Sequence, residues 1–218
     1  MDNQEIRSKH AAKPAATKDG KYVKEDKSAK NPAGVQKSVL AYLHDLVYLL
    51  AGILLLLLLV FRVVIVSGPS MNDTLVHGDY LILLNNVLYG EPKQGDIIVA
   101  SKDSFKDGEP IIKRVIATEG QKVDIDFTAG IVYVDGVALE EDYIKSLTKM
   151  QEGMQFPFTV DEGCIFVMGD NRGVSKDSRN PEIGLIDTRE VLGRAVFLVF
   201  PGKDAVTEKR QLSRIGAL

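Results

Sequence analysis

The stretch Ile131-Val132-Tyr133-Val134-Asp135-Gly136-Val137 places two turn residues between runs of β-branched and aromatic side chains. An Asp-Gly pair in this setting is a strong signal for a β-hairpin, because both residues tolerate the positive φ of a two-residue turn. Short apolar runs recur on either side at close spacing, at residues 79–84, 97–100, 111–117, 123–127, 165–168 and 195–200. The pattern predicts a mainly β fold, an antiparallel β-sandwich or partly closed barrel.

Two segments of the same region differ from this pattern. Residues 188–192 are the one candidate there for a short amphipathic helix. Residues 140–157 are polar and irregular, with Gly153 and Pro157 among them. We expect them to form a long excursion from the barrel.

The composition restricts the classes of function. With 218 residues the chain has room for one domain of ordinary size and for appendages. Its net charge of -3 gives no general reason to expect nucleic acid as a partner. A single cysteine, Cys164, excludes an internal disulfide and a thiol-based zinc cage, and its apolar neighbours predict a buried structural role.

An apolar run near the N-terminus is long enough to cross a membrane. Residues 46–61 carry no charge, and the run continues at 63–66 beyond Arg62, which together approaches the roughly 20 residues that a spanning helix needs. We therefore predict a transmembrane anchor helix over residues 41–66. A cleaved secretory signal is the alternative, but the preceding tail is long and no Ala-x-Ala site ends the run.

The residues before this run predict its orientation. Residues 1–40 are rich in Lys, Ala and acidic residues and poor in large aliphatic ones, so we expect a disordered tail. After Arg62 the next basic residue is Lys93. The excess of positive charge before the span predicts a cytoplasmic N-terminus and an extracytoplasmic β domain. The basic residues of the tail are Arg7, Lys9, Lys13, Lys18, Lys21, Lys24, Lys27, Lys30 and Lys37.

The pentapeptide Ser67-Gly68-Pro69-Ser70-Met71 follows the apolar run, and its Gly-Pro turn would hold the Ser70 hydroxyl rigidly near the bilayer. A plain surface turn fits these residues as well. A serine nucleophile needs a base, and His77 is the only histidine on the same side of the predicted span. Because His77 lies beside Gly78 in a predicted turn, a solvated loop histidine is favoured over a Ser-His-Asp triad.

Lys113 is the other candidate base. On a predicted strand it shares one face with Ile111 and Val115, which would surround its amine with apolar groups. Burial lowers the pKa of a lysine, and a neutral amine can accept a hydroxyl proton. A solvated lysine on an edge strand, with Arg114 beside it, fits the same residues equally well.

Residues 169–179, Gly-Asp-Asn-Arg-Gly-Val-Ser-Lys-Asp-Ser-Arg, form a dense polar stretch with turn chemistry. Asp177 could pair with Arg172 or Arg179 and brace this loop. Such a brace would leave a serine hydroxyl free to orient the amine of a catalytic lysine. A purely structural polar loop is the alternative.

Together these stretches resemble those of type I signal peptidase, the membrane-anchored Ser-Lys endopeptidase that removes signal peptides from exported proteins. The chain has a Ser-Gly-x-Ser-Met-like box at residues 67–71, a Gly-Asp-Ile-Val-like strand at 95–99, a Lys-Arg pair at 113–114 and the polar box at 169–179, in the family's order. The resemblance covers about residues 47–200. It implies that Ser70 is the nucleophile and Lys113 the general base, with Ser175 orienting the amine, Asp177 and Arg179 supporting the loop, and Met71 shaping the substrate cleft.

The resemblance also implies an architecture and partners. The catalytic β core would comprise residues 67–119 and 161–212, with a smaller inserted β subdomain at 120–160. The chain would act as a monomer in the cell membrane, in contact with lipid, on exported preproteins, and it would need no metal or organic cofactor. Some members have a serine two residues before the nucleophile that helps to stabilise the oxyanion. Gly68 stands at that position here, so backbone amides, principally that of Ser70, are the expected donors.

Three other classes of protein fit parts of the sequence. A self-cleaving repressor also uses Ser-Lys chemistry on a β fold, but it would carry a DNA-binding helical domain in place of the polar tail and the span. A catalytically inactive relative that binds peptides would lose one member of the pair, whereas Ser70 and Lys113 are both present. A simple structural ectodomain would not explain three ordered boxes.

Overall fold

The computed structural model describes residues 32–102, 105, 108–204 and 207–218, and it contains one long helix followed by short strands. In chain order the elements are α1 (Pro32–Val60), β1 (Phe61–Ile65), β2 (Tyr80–Asn85), α2 (Asn86–Tyr89), β3 (Ile97–Ala100), β4 (Ile111–Thr118), β5 (Lys122–Asp126), β6 (Ile131–Val134), β7 (Val137–Ala138), β8 (Phe158–Thr159), β9 (Cys164–Met168), β10 (Ile186–Asp187), β11 (Val191–Phe200) and β12 (Gly216–Ala217), with 3-10 turns at Thr188–Glu190 and Leu212–Arg214. Of the tail predicted to be disordered, residues 1–31 lie outside the described part of the chain.

Helix α1 has the length and composition of a membrane span. Its segment Val39–Val60 has 22 residues, a mean hydropathy of 2.5 and no buried share. At the usual rise per residue this segment is about 33 Å long, close to the thickness of the hydrocarbon core of a bilayer. An apolar surface exposed on all sides of a helix is typical of a segment that contacts lipid.

Two predicted boundaries of this region are wrong. Residues 32–40 are helical rather than disordered, because a helix is extended more cheaply than it is started and Pro32 occupies a first position that needs no N–H donor. At the other end the helix stops at Val60 instead of residue 66. Phe61–Ile65 form β1, since their β-branched residues pair with β2 from Phe61 opposite Leu84 to Ile65 opposite Tyr80.

The larger sheet carries most of the β domain. Its strands follow the order β1-β2-β11-β3-β4-β9-β10, with β12 paired to β11, and each of these described pairings is antiparallel. The register of β11 shifts between Val191 and Gly193 and between Ala195 and Phe197, and that of β4 shifts after Val115. Such bulges bend and twist a strand, so they help the sheet to curl.

A second sheet, ordered β7-β6-β5-β8, lies within residues 122–159. Buried side chains of its strands, including Val123 and Val132, share a hydrophobic cluster with Ile116, Phe166 and Met168 of the larger sheet. The predicted fold class, mainly β with a smaller second β unit after one apolar helix, is confirmed. The division of the core at residues 67–119, 120–160 and 161–212 stays a prediction.

Two predictions from local sequence patterns in the β domain had different outcomes. The Asp135-Gly136 turn connects β6 to β7 as predicted, with φ of 53° and 80° at its two residues. The helix predicted at residues 188–192 is wrong: Thr188–Glu190 form one 3-10 turn with a capping box on Asp187, and Val191 already begins β11. Pairing of β11 with β3 outweighs the weak local helical pattern there. Cys164 is partly buried beside the shared cluster.

Candidate active site

Ser70 and Lys113 come together at the junction of two segments that are distant in sequence. Lys113 Nζ lies 3.1 Å from Ser70 Oγ and 3.0 Å from the carbonyl oxygen of Ile112, to which it donates a hydrogen bond. Only 4% of Lys113 is exposed, so its amine is not the solvated group that an edge strand would present. The arrangement brings a hydroxyl and a buried amine within proton-transfer distance.

Strand pairing explains why Lys113 is buried. Its partner across β3 is Ile98, which is itself 1% exposed. The pairing of β4 with β9 begins only at Arg114, opposite Met168. Lys113 is therefore held by β3 on one side, and it lies just before the part of β4 that pairs with β9.

The turn that carries Ser70 is fixed through its backbone. The carbonyl oxygen of Pro69 accepts hydrogen bonds from Asn72 N and Asn171 Nδ2, both at 3.1 Å. The carbonyl oxygen of Ser70 accepts one from Asn171 N at 3.0 Å. Asn171 of the 169–179 loop thus helps to fix the position of the predicted nucleophile.

The predicted brace of this loop is present. Asp177 and Arg179 are both fully buried, and the Asp177 carboxylate accepts from Arg179 Nε at 2.8 Å and from Gly169 N at 3.0 Å. Burial by itself would lower the pKa of Arg179, but its hydrogen bonds to Asp177 and the carboxylate charge raise it above its ordinary value. The Arg179 guanidinium therefore stays charged, and its contact with Asp177 holds both ends of the loop together.

Arg172 ties the loop to the long excursion that follows β7. Its guanidinium donates to the Gly169 carbonyl at 3.0 Å and to Thr148 Oγ1 at 2.6 Å, and it forms a salt bridge with Glu141. Arg179 donates to the Met150 carbonyl at 3.0 Å. The excursion predicted from the polar residues 140–157 is therefore a structural support of the site.

Ser175 and Met71 are placed beside the pair, although neither role predicted for them is tested. Ser175 is 1% exposed, and its Oγ has no hydrogen-bond partner among the described residues. The bond from the Lys113 amine to Ser175 is therefore not formed in this structure, and the orienting role of Ser175 stays a prediction. Met71 is 1% exposed, packs in the cluster that includes Leu75, and lines the cleft beside Ser70.

The comparison with known proteins identifies the family. Residues 39–200 match the family described as signal peptidase, peptidase S26. The chain belongs to this signal peptidase family. A signal peptidase I from Bacillus licheniformis is 36% identical over 68% of this chain and 81% of its own length. The signal peptidase I T from Bacillus subtilis strain 168 is 32% identical over 81% of this chain and 95% of its own length.

Two further relatives extend the comparison. A probable signal peptidase I-1 from Synechocystis is 37% identical over 70% of this chain and 80% of its own length. A crystal structure of a signal peptidase I from Enterococcus faecalis V583 is 30% identical, with a TM-score of 0.40, and covers 49% of this chain and 97% of that one. As a member of the signal peptidase family, the chain is a serine peptidase.

One ion pair of this signal peptidase fold was missed by sequence reasoning. Arg114, next to Lys113, donates from Nε and Nη2 to the buried carboxylate of Asp170, at 2.9 and 2.6 Å. Thr74 Oγ1 donates to the same carboxylate at 2.6 Å, and the ring of Tyr143 lies 4.0 Å from the Arg114 guanidinium. Burial, with the nearby charge of Glu141, raises the pKa of Tyr143, so the ring stays neutral. Asp170 of the polar box thus contacts the Lys-Arg pair and Thr74, which lies three residues beyond the 67–71 box.

A cleft of about 430 Å³ opens in front of Ser70 and Lys113. One wall contains residues 64–71, from β1 through the nucleophile turn, and the other contains residues 109–113 at the start of β4. Val64, Val66, Val99, Ile111 and Ile112 supply an aliphatic lining, while Glu109 and Lys176 are the charged residues beside Lys113 in it. In the described part of the chain no group of three or more His, Cys, Asp or Glu side chains is arranged to hold a metal ion.

Proposed function

We propose that the chain cleaves N-terminal signal peptides from exported preproteins, with Ser70 as the nucleophile and Lys113 as the general base. The observation that carries the proposal is the 3.1 Å separation between Lys113 Nζ and Ser70 Oγ, in a lysine residue that is only 4% exposed. His77 is a poorer candidate base because it is exposed and its Nδ1 accepts a hydrogen bond from Gly68 N. The names of the matching relatives supply the class of substrate.

The reaction is an acyl transfer in two halves. Burial favours the neutral form of an amine, and neutral Lys113 takes the proton of the Ser70 hydroxyl as Oγ attacks the scissile carbonyl carbon. The resulting oxyanion accepts hydrogen bonds from backbone amides, with the Ser70 N–H as the principal donor. Lys113 returns the proton to the leaving amine as the C–N bond breaks. Water, deprotonated by Lys113, then hydrolyses the ester on Ser70 and releases the signal peptide.

The cleft supports binding of the substrate as an extended strand. Among the described strands β1 pairs only with β2, so its other edge is open. Across the cleft, residues 111–113 at the start of β4 form the facing wall. An extended peptide can bond to the open edge of β1 with its backbone and place its scissile carbonyl at Ser70. The aliphatic lining favours small apolar side chains next to the scissile bond.

The proposal also includes the location of the reaction. The 22-residue apolar segment of α1 anchors the enzyme in the cell membrane as a single pass, and β1 follows directly, with Ser70 only ten residues after Val60. The lysine-rich tail keeps the N-terminus in the cytoplasm, which puts the β domain on the outer face. Cleavage then occurs close to the bilayer, where an exported signal peptide emerges. We propose a monomer for this arrangement.

The first test of this assignment is cleavage of a preprotein with an Ala-x-Ala site by the detergent-solubilised full chain. Ser70→Ala removes the nucleophile and Lys113→Ala removes the base, so each variant should lose cleavage by a factor of roughly 10³ or more. Gel analysis of the processed product over time gives the rate.

Matched controls separate loss of chemistry from loss of fold. Ser146→Ala and Lys122→Ala alter exposed residues of the same two types and should cleave at the wild-type rate. Melting temperatures should be similar for all five proteins. A rate near wild type in either Ser70→Ala or Lys113→Ala would refute the proposed pair.

A further inference from the structure

The C-terminal residues 207–218, with 201–204, fold back onto the segment that carries Ser70. Lys203 pairs with Arg210, and β12 adds to β11 opposite Phe197 and Leu198. Between these pairings the 3-10 turn Leu212–Arg214 brings the Arg214 guanidinium to residues 74–79, which connect the Ser70 turn to β2. The family match ends at residue 200 and does not include this part of the chain.

Asp79 is the buried group that Arg214 contacts. Its carboxylate is fully buried and accepts from two backbone amides, Val76 N at 2.8 Å and Gly202 N at 2.6 Å. Arg214 adds two charged donors, Nη1 at 3.0 Å and Nη2 at 2.6 Å. A fork of this kind fixes the orientation as well as the distance of its partner.

Arg214 also contacts Thr74, the first residue after the Ser70 turn. Its Nη2 donates to the carbonyl oxygen of Thr74 at 2.9 Å. The next residue, Leu75, donates from its N–H to the Met71 carbonyl at 2.8 Å, so a displacement of residues 74–75 is passed to the residue after Ser70.

The side chain of Thr74 contacts the 169–179 loop. Thr74 Oγ1 donates to Asp170, and Asp170 is held by Arg114, the neighbour of Lys113 on β4. Thr74 is therefore fixed from one side by the strand that carries the base and from the other by Arg214. The two contacts together define where Thr74, directly after the Ser70 turn, lies relative to β4.

We infer that Arg214 is a positioning residue for Ser70: its fork on Asp79 and the Thr74 carbonyl sets the distance between the hydroxyl and the Lys113 amine. The inference rests on the proposed roles of Ser70 and Lys113. Reaction rates are steep functions of such distances, because a misplacement of about 1 Å can cost about 100-fold. The walls that would bind substrate, β1 and the start of β4, do not include Arg214.

Two substitutions separate positioning from simple stability. Arg214→Lys keeps a positive charge opposite Asp79, but a single ammonium cannot reproduce the fork that reaches both the carboxylate and the Thr74 carbonyl. Arg214→Gln removes the charge and leaves the Asp79 carboxylate buried without its cationic partner, which also lowers the melting temperature. Arg210→Gln is the matched control, since Arg210 lies in the same segment but donates to the Pro201 carbonyl and packs on Phe200.

The experiment measures kcat, KM and melting temperature for the detergent-solubilised full chain with a peptide that contains an Ala-x-Ala site. We expect kcat of Arg214→Lys to fall by roughly 10-fold or more at a nearly wild-type melting temperature, with KM unchanged. Arg210→Gln should keep the wild-type kcat.

Three results would overturn the inference. These are a wild-type kcat in Arg214→Gln, full recovery of kcat in Arg214→Lys, or a rise in KM without a fall in kcat. Ser70→Ala, measured in the same assay, separates a failure of the proposed nucleophile from a failure of the proposed role of Arg214. If Ser70→Ala is inactive while Arg214→Lys retains full kcat, the proposed function stands and the role of Arg214 fails. If Ser70→Ala cleaves like wild type, the nucleophile is wrong and the positioning role is removed with it.

Discussion

Gly169 separates the backbone of Ser70 from the side chain of Ser175. A Cβ placed on Gly169 would lie 2.5 Å from the Ser70 carbonyl oxygen and would overlap Ser175 Oγ. Its backbone amide already donates to Asp177 and its carbonyl accepts from Arg172. A residue without a side chain is therefore needed here for space rather than for a left-handed φ.

The substitution Gly169→Ala tests this close approach. Either the Ser70 backbone or Ser175 must move to admit the methyl group, so we expect kcat to fall by roughly 10- to 100-fold. Gly173→Ala in the same loop is the control, because its Cβ would meet only Ser146 Oγ at 3.5 Å, an ordinary contact. Steady-state cleavage of the Ala-x-Ala peptide measures both. Equal kcat values for the two variants would contradict the prediction.

A second residue-scale feature is the set of buried charges around the 169–179 loop. Glu152 lies 3.3 Å from Arg179. Burial raises the pKa of Glu152 above its ordinary value, and the opposing effect of the Arg179 charge is smaller. Asp177, by contrast, is fully buried, and its carboxylate accepts hydrogen bonds from Nε and Nη2 of Arg179. Asp177 is thus the main anion of the brace, and Glu152 is an additional contact at its edge.

At the scale of elements, the β6–β7 hairpin shows how far local turn chemistry determines structure. Both residues of its turn have positive φ, and the strands on either side pair in register, Val134 with Val137. The small sheet then packs on the larger one through the shared cluster that contains Phe166. A Cβ added at Gly136 would have no other atom within 4 Å, so the positive φ is the only constraint on the residue at this position.

This hairpin gives a stability prediction. Gly136→Ala should lower the free energy of unfolding by about 1 kcal/mol, because a left-handed φ is unfavourable for a residue with a Cβ. For a chain of this size that corresponds to a fall of about 2–4 °C in melting temperature, measured by circular dichroism. Gly136→Asn should cost less, since asparagine tolerates this region. A larger loss for asparagine than for alanine would show that the turn is limited by something other than φ.

At the scale of the whole molecule, the junction between α1 and β1 connects the proposed membrane anchor to the catalytic pair. Helix α1 ends at Val60 and β1 begins at Phe61, with no intervening loop. Strand β1 then covers one edge of β2 and lines the cleft with Val64 and Ile65. The residues after the helix are therefore part of the peptidase domain and not part of the anchor.

Two truncated chains test this assignment of the boundary. A chain that begins at Val60 keeps β1 and should retain the melting temperature and the peptide cleavage of the full chain in detergent. A chain that begins at Ser67 lacks β1, which exposes the edge of β2 and removes part of the cleft wall. It should melt at a lower temperature, aggregate more readily and lose cleavage. Equal stability and activity of the two chains would show that β1 is dispensable.

The sequence by itself determined the features that depend on near neighbours in the chain. Short apolar runs and turn pairs predicted most of the longer strands, including β3 and β6 at their observed bounds, because strand propensity and turn chemistry are local. The apolar run predicted the helix, and three ordered boxes pointed to Ser70, Lys113 and the 169–179 loop. The sequence did not decide whether Lys113 is buried, because an edge strand and an inner strand can have the same pattern of residues.

Only the tertiary structure decided the contacts between distant segments. It turned Phe61–Ile65 into a strand, because pairing with β2 is more favourable than extending the helix, and it buried Lys113 opposite Ile98. It also brought Asp170 to Arg114 and Thr74, and Arg214 to Asp79. Hydrogen bonds between groups that lie far apart in the chain leave no local pattern, since each partner has the composition of an ordinary polar loop or strand.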